Sequence, residues 1–219
     1  MESHAVSKRV TSYIIQAQEE ENKRIANELH DGIAQTLFSI FTGLQIIESG
    51  VEQKEIKKFT RELRQQTERT IEELRWLSTE IYPLSLKKLG LVSALKSYLK
   101  IYTSTFGIMT QVETVGEELS LSEEVNITLF RVLQETLNNT ARYADASQVR
   151  LAFRWESDRL HISIEDEGIG FDLEEVFASG NHLGLDSMKQ RVELFSGTFH
   201  IYSEKEKGCR TDIYVPLVK

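Results

Sequence analysis

Along residues 5–82 the apolar positions recur every three or four residues. Ile25, Leu29, Ile33, Leu37, Ile40, Leu44 and Ile47 form one run. Past the interruption ESGVEQ, the run resumes with Ile56, Phe59, Leu63, Leu74, Leu77 and Ile81, while Gln66 and Thr70 hold the seam positions between. That spacing is the stripe of a helix and predicts two helices of roughly 30–45 residues joined by a short turn. The run stops at Tyr82–Pro83, where proline removes a donor and restrains the residue before it. An αα-hairpin cannot bury both of its faces alone, whereas two hairpins paired as a four-helix bundle can, so a homodimer is expected. Gly43 inside the first helix costs about 1 kcal/mol against alanine and suggests a close backbone approach or a bend.

From residue 84 the period changes. SLKKLGLVSALKSYLKIYTSTFG predicts a helix ending at Gly107, IMTQVETVG a short strand, and SLSEEVNITLFRVLQETLNNTARYA a long helix. Ser120 and Glu123 have capping-box spacing at the start of that helix. SQVRLAFRWE and RLHISIEDEG alternate apolar and polar positions about Ser157–Asp158, the pattern of a β-hairpin. LGLDSMKQRVELFS predicts a helix, and GTFHIYSEK and RTDIYVPLVK two closing strands. The expected class is α+β. Residues 1–83 form a helical hairpin for dimerisation, and residues 84–219 an α/β layer with a mixed sheet.

Composition changes this picture little. Of 219 residues, 40% are apolar, 27% are charged and two are prolines, as in an ordinary folded chain. The net charge of −8 argues against broad binding to a nucleic-acid backbone but leaves room for a local basic pocket. A single cysteine, Cys209, excludes an intrachain disulfide framework and fits a reducing compartment. With no basic-then-apolar leader and no apolar run of 18 residues, neither export nor membrane spanning is expected.

Candidate chemistry gathers in two places. In RIANELHDGIAQTL, His30 stands beside Asp31 and one turn before Gln35. Toward the C-terminus, EDEGIGF sets Gly168 and Gly170 just after a strand led by Asp166, and GNHLGL sets Gly184 before a helix. Glycine permits close backbone approach, and a helix start offers free N–H groups to phosphate. The spacing matches neither a P-loop nor a dinucleotide fingerprint. In QETLNN, Glu135, Asn138 and Asn139 lie on a helix whose other face is apolar. An asparagine carbonyl suits Mg²⁺, and Asp166 suits an adenine amino group.

Taken in this order, the segments resemble the cytoplasmic core of two-component sensor histidine kinases, in the nitrate-sensing and degradative-enzyme-sensing subclass, over about residues 14–217. RIANELHDGIAQ resembles the phosphoacceptor box and YPLSLKKLGLVSAL the link into the catalytic domain. RVLQETLNNTARYADA resembles the asparagine box, DEGIGF and GLDSMKQRVELFSG the nucleotide boxes, and SEKEKGCRTDIYVPL the closing strands.

The resemblance implies a dimeric helical bundle followed by an ATP-binding α/β sandwich with a lid over about residues 171–182. It implies His30 as phosphoacceptor, Asp31 as its proton partner, and Gln35 as the amide of a DxxxQ phosphatase motif. Asn139, supported by Glu135, would hold Mg²⁺. Asp166 would read adenine, Gly168, Gly170 and Gly184 would shape the pocket, and Thr211 would join its hydrogen bonds. The partner would be a response-regulator receiver domain, and the signal would come from an upstream sensor domain or sensor protein. The location would be cytoplasmic, either as a free kinase or as the soluble part of a membrane-anchored one.

Two positions depart from the family pattern. Tyr143 stands where a histidine is usual, with Arg142 beside it as a substitute charge for phosphate. Arg210 stands where a glycine precedes the closing threonine. These departures are the support for an alternative reading, an inactive dimeric nucleotide-binding module that sequesters a partner protein.

Overall fold

The computed structural model describes residues 2–180 and 183–217, with side-chain surroundings from Tyr13 onward. The chain divides into two compact units, Met1–Leu84 and Ser85–Lys219.

In the first unit, α1 (Glu2–Glu28) passes through a π-helical turn, Leu29–Ala34, into α2 (Gln35–Gly50). After Val51–Gln53 the chain reverses into α3 (Lys54–Ile81). The antiparallel pairing is tied along its length. Glu48 accepts from Arg61 Nε at 2.7 Å and Arg64 Nε at 2.9 Å near the reversal. Ser78 Oγ donates to the Ala26 carbonyl at 3.2 Å, and Lys23 lies over the Tyr82 ring farther along. The helix passes through Gly43 without interruption, and no neighbouring atom lies within 4 Å of where its Cβ would be. The irregularity sits instead at the π turn around His30.

One face of this hairpin has no cover. No described residue of α2 is buried, and α3 buries only Thr60, Ile71 and Ser78. Ile33, Ile40, Ile47, Ile56, Phe59, Leu63 and Leu77, all on the expected stripe, are exposed.

The second unit opens with α4 (Leu86–Phe106), broken at Gly90 by a left-handed φ of 77° and closed by Gly107, also left-handed. β1 (Met109–Val115) follows, then α5 (Glu123–Asn139). The cap of α5 is Ser122 rather than Ser120. Its hydroxyl accepts from Val125 N at 3.2 Å, with Glu123 and Glu124 in the first turn complementing the helix dipole. Ser120 lies three residues before the first helical residue, Glu123, so the true cap sits two positions later than the motif suggests.

A second π turn, Thr140–Ala144, ends this helix at Asp145, whose φ is +50°. β2 (Gln148–Trp155) and β3 (Arg159–Asp166) form the expected hairpin, closed by Glu156 N to Arg159 O. α6 (Leu173–Ser179), α7 (Leu183–Glu193), β4 (Thr198–Ser203) and β5 (Cys209–Pro216) complete the unit.

The sheet order is β1-β2-β3-β5-β4, with β1 and β2 parallel and every other pair antiparallel. Strands with period-two burial put Val149, Leu151, Phe153, Leu160, Ile162 and Ile164 on one face, and all are buried. Tyr98, Tyr102, Phe130, Leu133 and Leu137 of α4 and α5 are buried as well. Phe130 meets Tyr98 edge-on at 5.7 Å, and Tyr102 Oη donates to the Leu137 carbonyl at 2.9 Å. This packing holds α5 against α4, and Thr140, just past its end, bonds Asp166 at the end of β3.

Candidate functional site

The two groups of candidate residues lie in different units. In the first, His30 and Asp31 fall inside the π turn, and Gln35 follows immediately as its cap. His30 Nδ1 meets Asp31 Oδ1 at 3.0 Å, with side chains 60% and 68% exposed. Gln35 is exposed too. A π turn widens the helix by one residue, and such turns are frequent at functional sites. Hydroxyls reinforce this one locally: Thr36 Oγ1 donates to the Gly32 carbonyl at 2.9 Å, and Ser39 Oγ to the Gln35 carbonyl at 3.0 Å.

In the second unit the candidates surround the end of β3. Asp166 is 6% exposed. Its Oδ1 accepts from Gly168 N at 3.1 Å and its Oδ2 from Thr140 Oγ1 at 3.2 Å. Burial pushes its carboxyl above the usual range, against the opposing hydrogen bonds from Gly168, Thr140 and the Cys209 backbone.

Three glycines make this cradle possible. A Cβ on Gly168 would sit 2.1 Å from the Ala144 carbonyl oxygen, at the end of the second π turn. One on Gly170, whose φ is +55°, would sit 2.1 Å from the Glu204 carbonyl oxygen. One on Gly208 would sit 2.0 Å from the Asp166 carbonyl oxygen. Backbone therefore packs directly on backbone. Ile169 N donates to the Ala144 carbonyl at 2.7 Å, and Glu206 N to the Ile169 carbonyl at 2.6 Å. Ser203 Oγ completes the clamp, accepting from Phe171 N and donating to the Gly208 carbonyl, each at 2.9 Å.

Glu135 and Asn139 are half-buried, four residues apart on α5, and neither side chain has a hydrogen-bond partner among the described residues. A Cβ on Gly184 would lie 3.2 Å from Glu135 Oε1, so the start of α7 approaches this acid. Asn138 turns elsewhere and accepts from Tyr98 Oη at 3.4 Å. Arg142 and the 68%-exposed Tyr143 carry no hydrogen bond to the other candidates among the described residues. Asn181 and His182, in the expected lid, lie outside the described residues; the part before them is capped by Asp172 and forms α6.

Thr211 is 1% exposed on the core face of β5, opposite Ile164 and two positions from Cys209. Cys209 itself is half-buried, and burial pushes its thiol up to about 12, which makes it a poor nucleophile. Arg210 points to the opposite face of the sheet. There its guanidinium holds Asp212 through Nε–Oδ2 at 2.8 Å and Nη2–Oδ1 at 3.1 Å, and Asp212 also meets His161 Nε2 at 2.8 Å. The departure at Arg210 thus leaves the Asp166 cradle untouched, and β5 keeps a regular ladder through it.

Sequence reasoning missed Thr140, Ser203 and Gly208. Gly208 carried a signal, since it ends the polar turn EKEKG between two strands. Thr140 and Ser203 carried none, because a lone hydroxyl gains meaning only from its neighbours in space.

Comparison with known proteins gives a consistent picture. The family model described as "Histidine kinase" matches residues 21–86, and that described as "Histidine kinase-, DNA gyrase B-, and HSP90-like ATPase" matches residues 124–219. The oxygen sensor histidine kinase NreB of Staphylococcus carnosus (strain TM300) is 32% identical over 203 residues, 93% of this chain and 58% of its own length. The signal transduction histidine-protein kinase/phosphatase DegS of Brevibacillus brevis is 32% identical over 207 residues, 93% of this chain and 53% of its own. The chain thus spans little more than half the length of these relatives. Among solved structures, the histidine kinase domain of the Erythrobacter litoralis EL346 blue-light activated kinase shares the fold. It aligns at a TM-score of 0.50 and 16% identity, covering 84% of this chain and 94% of that one.

Because the native Asp166 carboxyl binds its proton more readily than the unfolded one, its contribution to stability is fully present below about pH 3.9. That contribution is lost as pH rises through the raised native value. As pH rises above about 3.9 and through the raised native value, the urea midpoint of wild type should therefore fall relative to that of Asp166→Asn. A constant difference would contradict the assignment.

Proposed function

The chain belongs to the two-component sensor histidine kinases, and on that premise we propose that it transfers the γ-phosphoryl group of ATP to His30 and on to an aspartate of a response-regulator receiver domain. The observation that carries this reading is the pairing of an exposed His30–Asp31 couple at 3.0 Å with a second unit whose glycines cradle a buried aspartate. The residues 1–83 act as the dimerisation and phosphotransfer hairpin, and 84–219 as the ATP-binding catalytic domain.

With Nδ1–H donated to Asp31, neutral imidazole keeps the lone pair on Nε2. Nε2 forms the new bond to phosphorus while the bond from phosphorus to the β,γ-bridging oxygen breaks and ADP leaves. The ring becomes cationic in that step, and the Asp31 carboxylate stabilises the charge through the Nδ1 proton. Gln35, exposed on the next turn, orients water toward the acyl phosphate of the regulator and gives the chain phosphatase activity.

The donor set fits Mg²⁺. Glu135 and Asn139 are oxygen donors with no protein partner among the described residues, and Mg²⁺ takes one or two such groups plus phosphates and water. When bound, the ion neutralises phosphate charge. Asp166 accepts the adenine amino group, and the glycine loop brings backbone against the nucleotide. Arg142 supplies positive charge at the mouth, Tyr143 flanks it, and the lid over about residues 171–182 excludes water. ATP as substrate places the reaction in the cytoplasm. The uncovered apolar face of α2 and α3 is the dimer contact.

Incubated with γ-labelled ATP and Mg²⁺, wild type should acquire acid-labile, base-stable label that is absent from His30→Ala and Asn139→Ala. Folded wild type that binds ATP yet takes no label would overturn the kinase reading. Replacing both Ile40 and Ile47 by Glu puts two charges where two exposed isoleucines would each contribute about 1.5–3 kcal/mol on burial. Sedimentation should then show monomer where wild type shows dimer. An unchanged dimer would place the contact elsewhere.

A further inference from the structure

Thr140 is 4% exposed, and it directly follows the proposed metal ligand Asn139. Its hydroxyl has one proton and two acceptors in range, the Asp166 carboxylate at 3.2 Å and the Thr136 carbonyl at 3.3 Å. That carbonyl already receives the Thr140 backbone N–H. A hydrogen bond to a charged acceptor is roughly twice as strong as one between neutral groups, so the proton goes to Asp166.

A carboxylate offers about four acceptor positions. At Asp166 one is taken by Gly168 N–H on Oδ1 and one by Thr140 on Oδ2, and the residue is only 6% exposed. The positions left open can take an N–H of a ligand. Without the Thr140 bond only Gly168 N–H holds the carboxyl, which can then turn about its Cβ–Cγ bond, and the open positions no longer have a fixed direction.

Resting on the reading that Asp166 takes the base, we infer that Thr140 is a positioning residue that aims an open acceptor of Asp166 at an exocyclic amine and so sets the preference for adenine. Because Thr140 follows Asn139 in the chain, base recognition and phosphate placement are joined by a single peptide bond.

The test is calorimetric titration of the full chain with ATP and with purine riboside triphosphate, which lacks the 6-amino group. Wild type should prefer ATP. Thr140→Val, which matches threonine in shape, should weaken ATP about tenfold, the order of one hydrogen bond to a charged group, and leave the analogue unaffected. Thr140→Ser, which restores the hydroxyl, should restore the preference. Equal weakening of both nucleotides, or an unchanged ratio, overturns the inference and leaves the reading of Asp166 standing. Wild type that binds both nucleotides equally overturns the reading of Asp166 and the inference with it. Should the valine variant melt early, Thr140→Ala is titrated in the same way, with the same outcomes.

Discussion

A carboxylate taken out of water must be met by donors, and at Asp166 those donors come from two separate stretches of chain. Gly168 belongs to the loop after β3 and Thr140 to the π turn after α5. Each stretch reaches Asp166 only because backbone can approach backbone there, with glycine at 168, 170 and 208. The arrangement is mutually dependent. The loop packs on Ala144, the β4–β5 turn packs on the loop, and the register of β5 brings Cys209 opposite Asp166. On the proposed reading, position and chemistry of the nucleotide site therefore rest on one buried carboxylate.

Both clusters of candidate residues coincide with a helix that departs from α geometry. One π turn contains His30 and Asp31, and the other runs from Thr140 to Ala144 directly after Asn139. In the first, the Thr36 hydroxyl bonds the Gly32 carbonyl one turn back; in the second, the Thr140 hydroxyl bonds the Asp166 carboxylate. The two solve different problems. The first widens an exposed helix surface around His30, which on the proposed reading receives the phosphoryl group. The second turns the Ala144 carbonyl outward to receive Ile169 and so fixes the glycine loop.

Much of this fold was legible because its signals are local. Period-two burial marked β2 and β3, the three-and-four spacing marked the hairpin, and Gly107 stopped α4 where expected. The candidate site was legible for residues whose type is itself unusual in place: an acid before glycines, an asparagine pair on an apolar helix. Cap position was misread, because Ser120 and Ser122 offer the same hydroxyl and only backbone geometry chooses between them. The π turns left no trace in periodicity, since one extra residue in a turn displaces a stripe by less than its own width. Arg210 looked damaging beside Thr211 in sequence, yet strand alternation sends the two to opposite faces. Thr140 and Ser203 belonged to no pattern at all, because their partners are 26 and 32 residues away.

The central claim is that the buried carboxylate of Asp166 is what the nucleotide is held by. It is tested most directly by titrating ATP into Asp166→Asn beside wild type, with circular dichroism to verify that both are folded. An amide keeps one acceptor oxygen and replaces the other by donors, so Gly168, Thr140 and the base can no longer all be met, and the account predicts that ATP affinity falls by at least about tenfold in the folded variant. Wild-type affinity in that variant would contradict it.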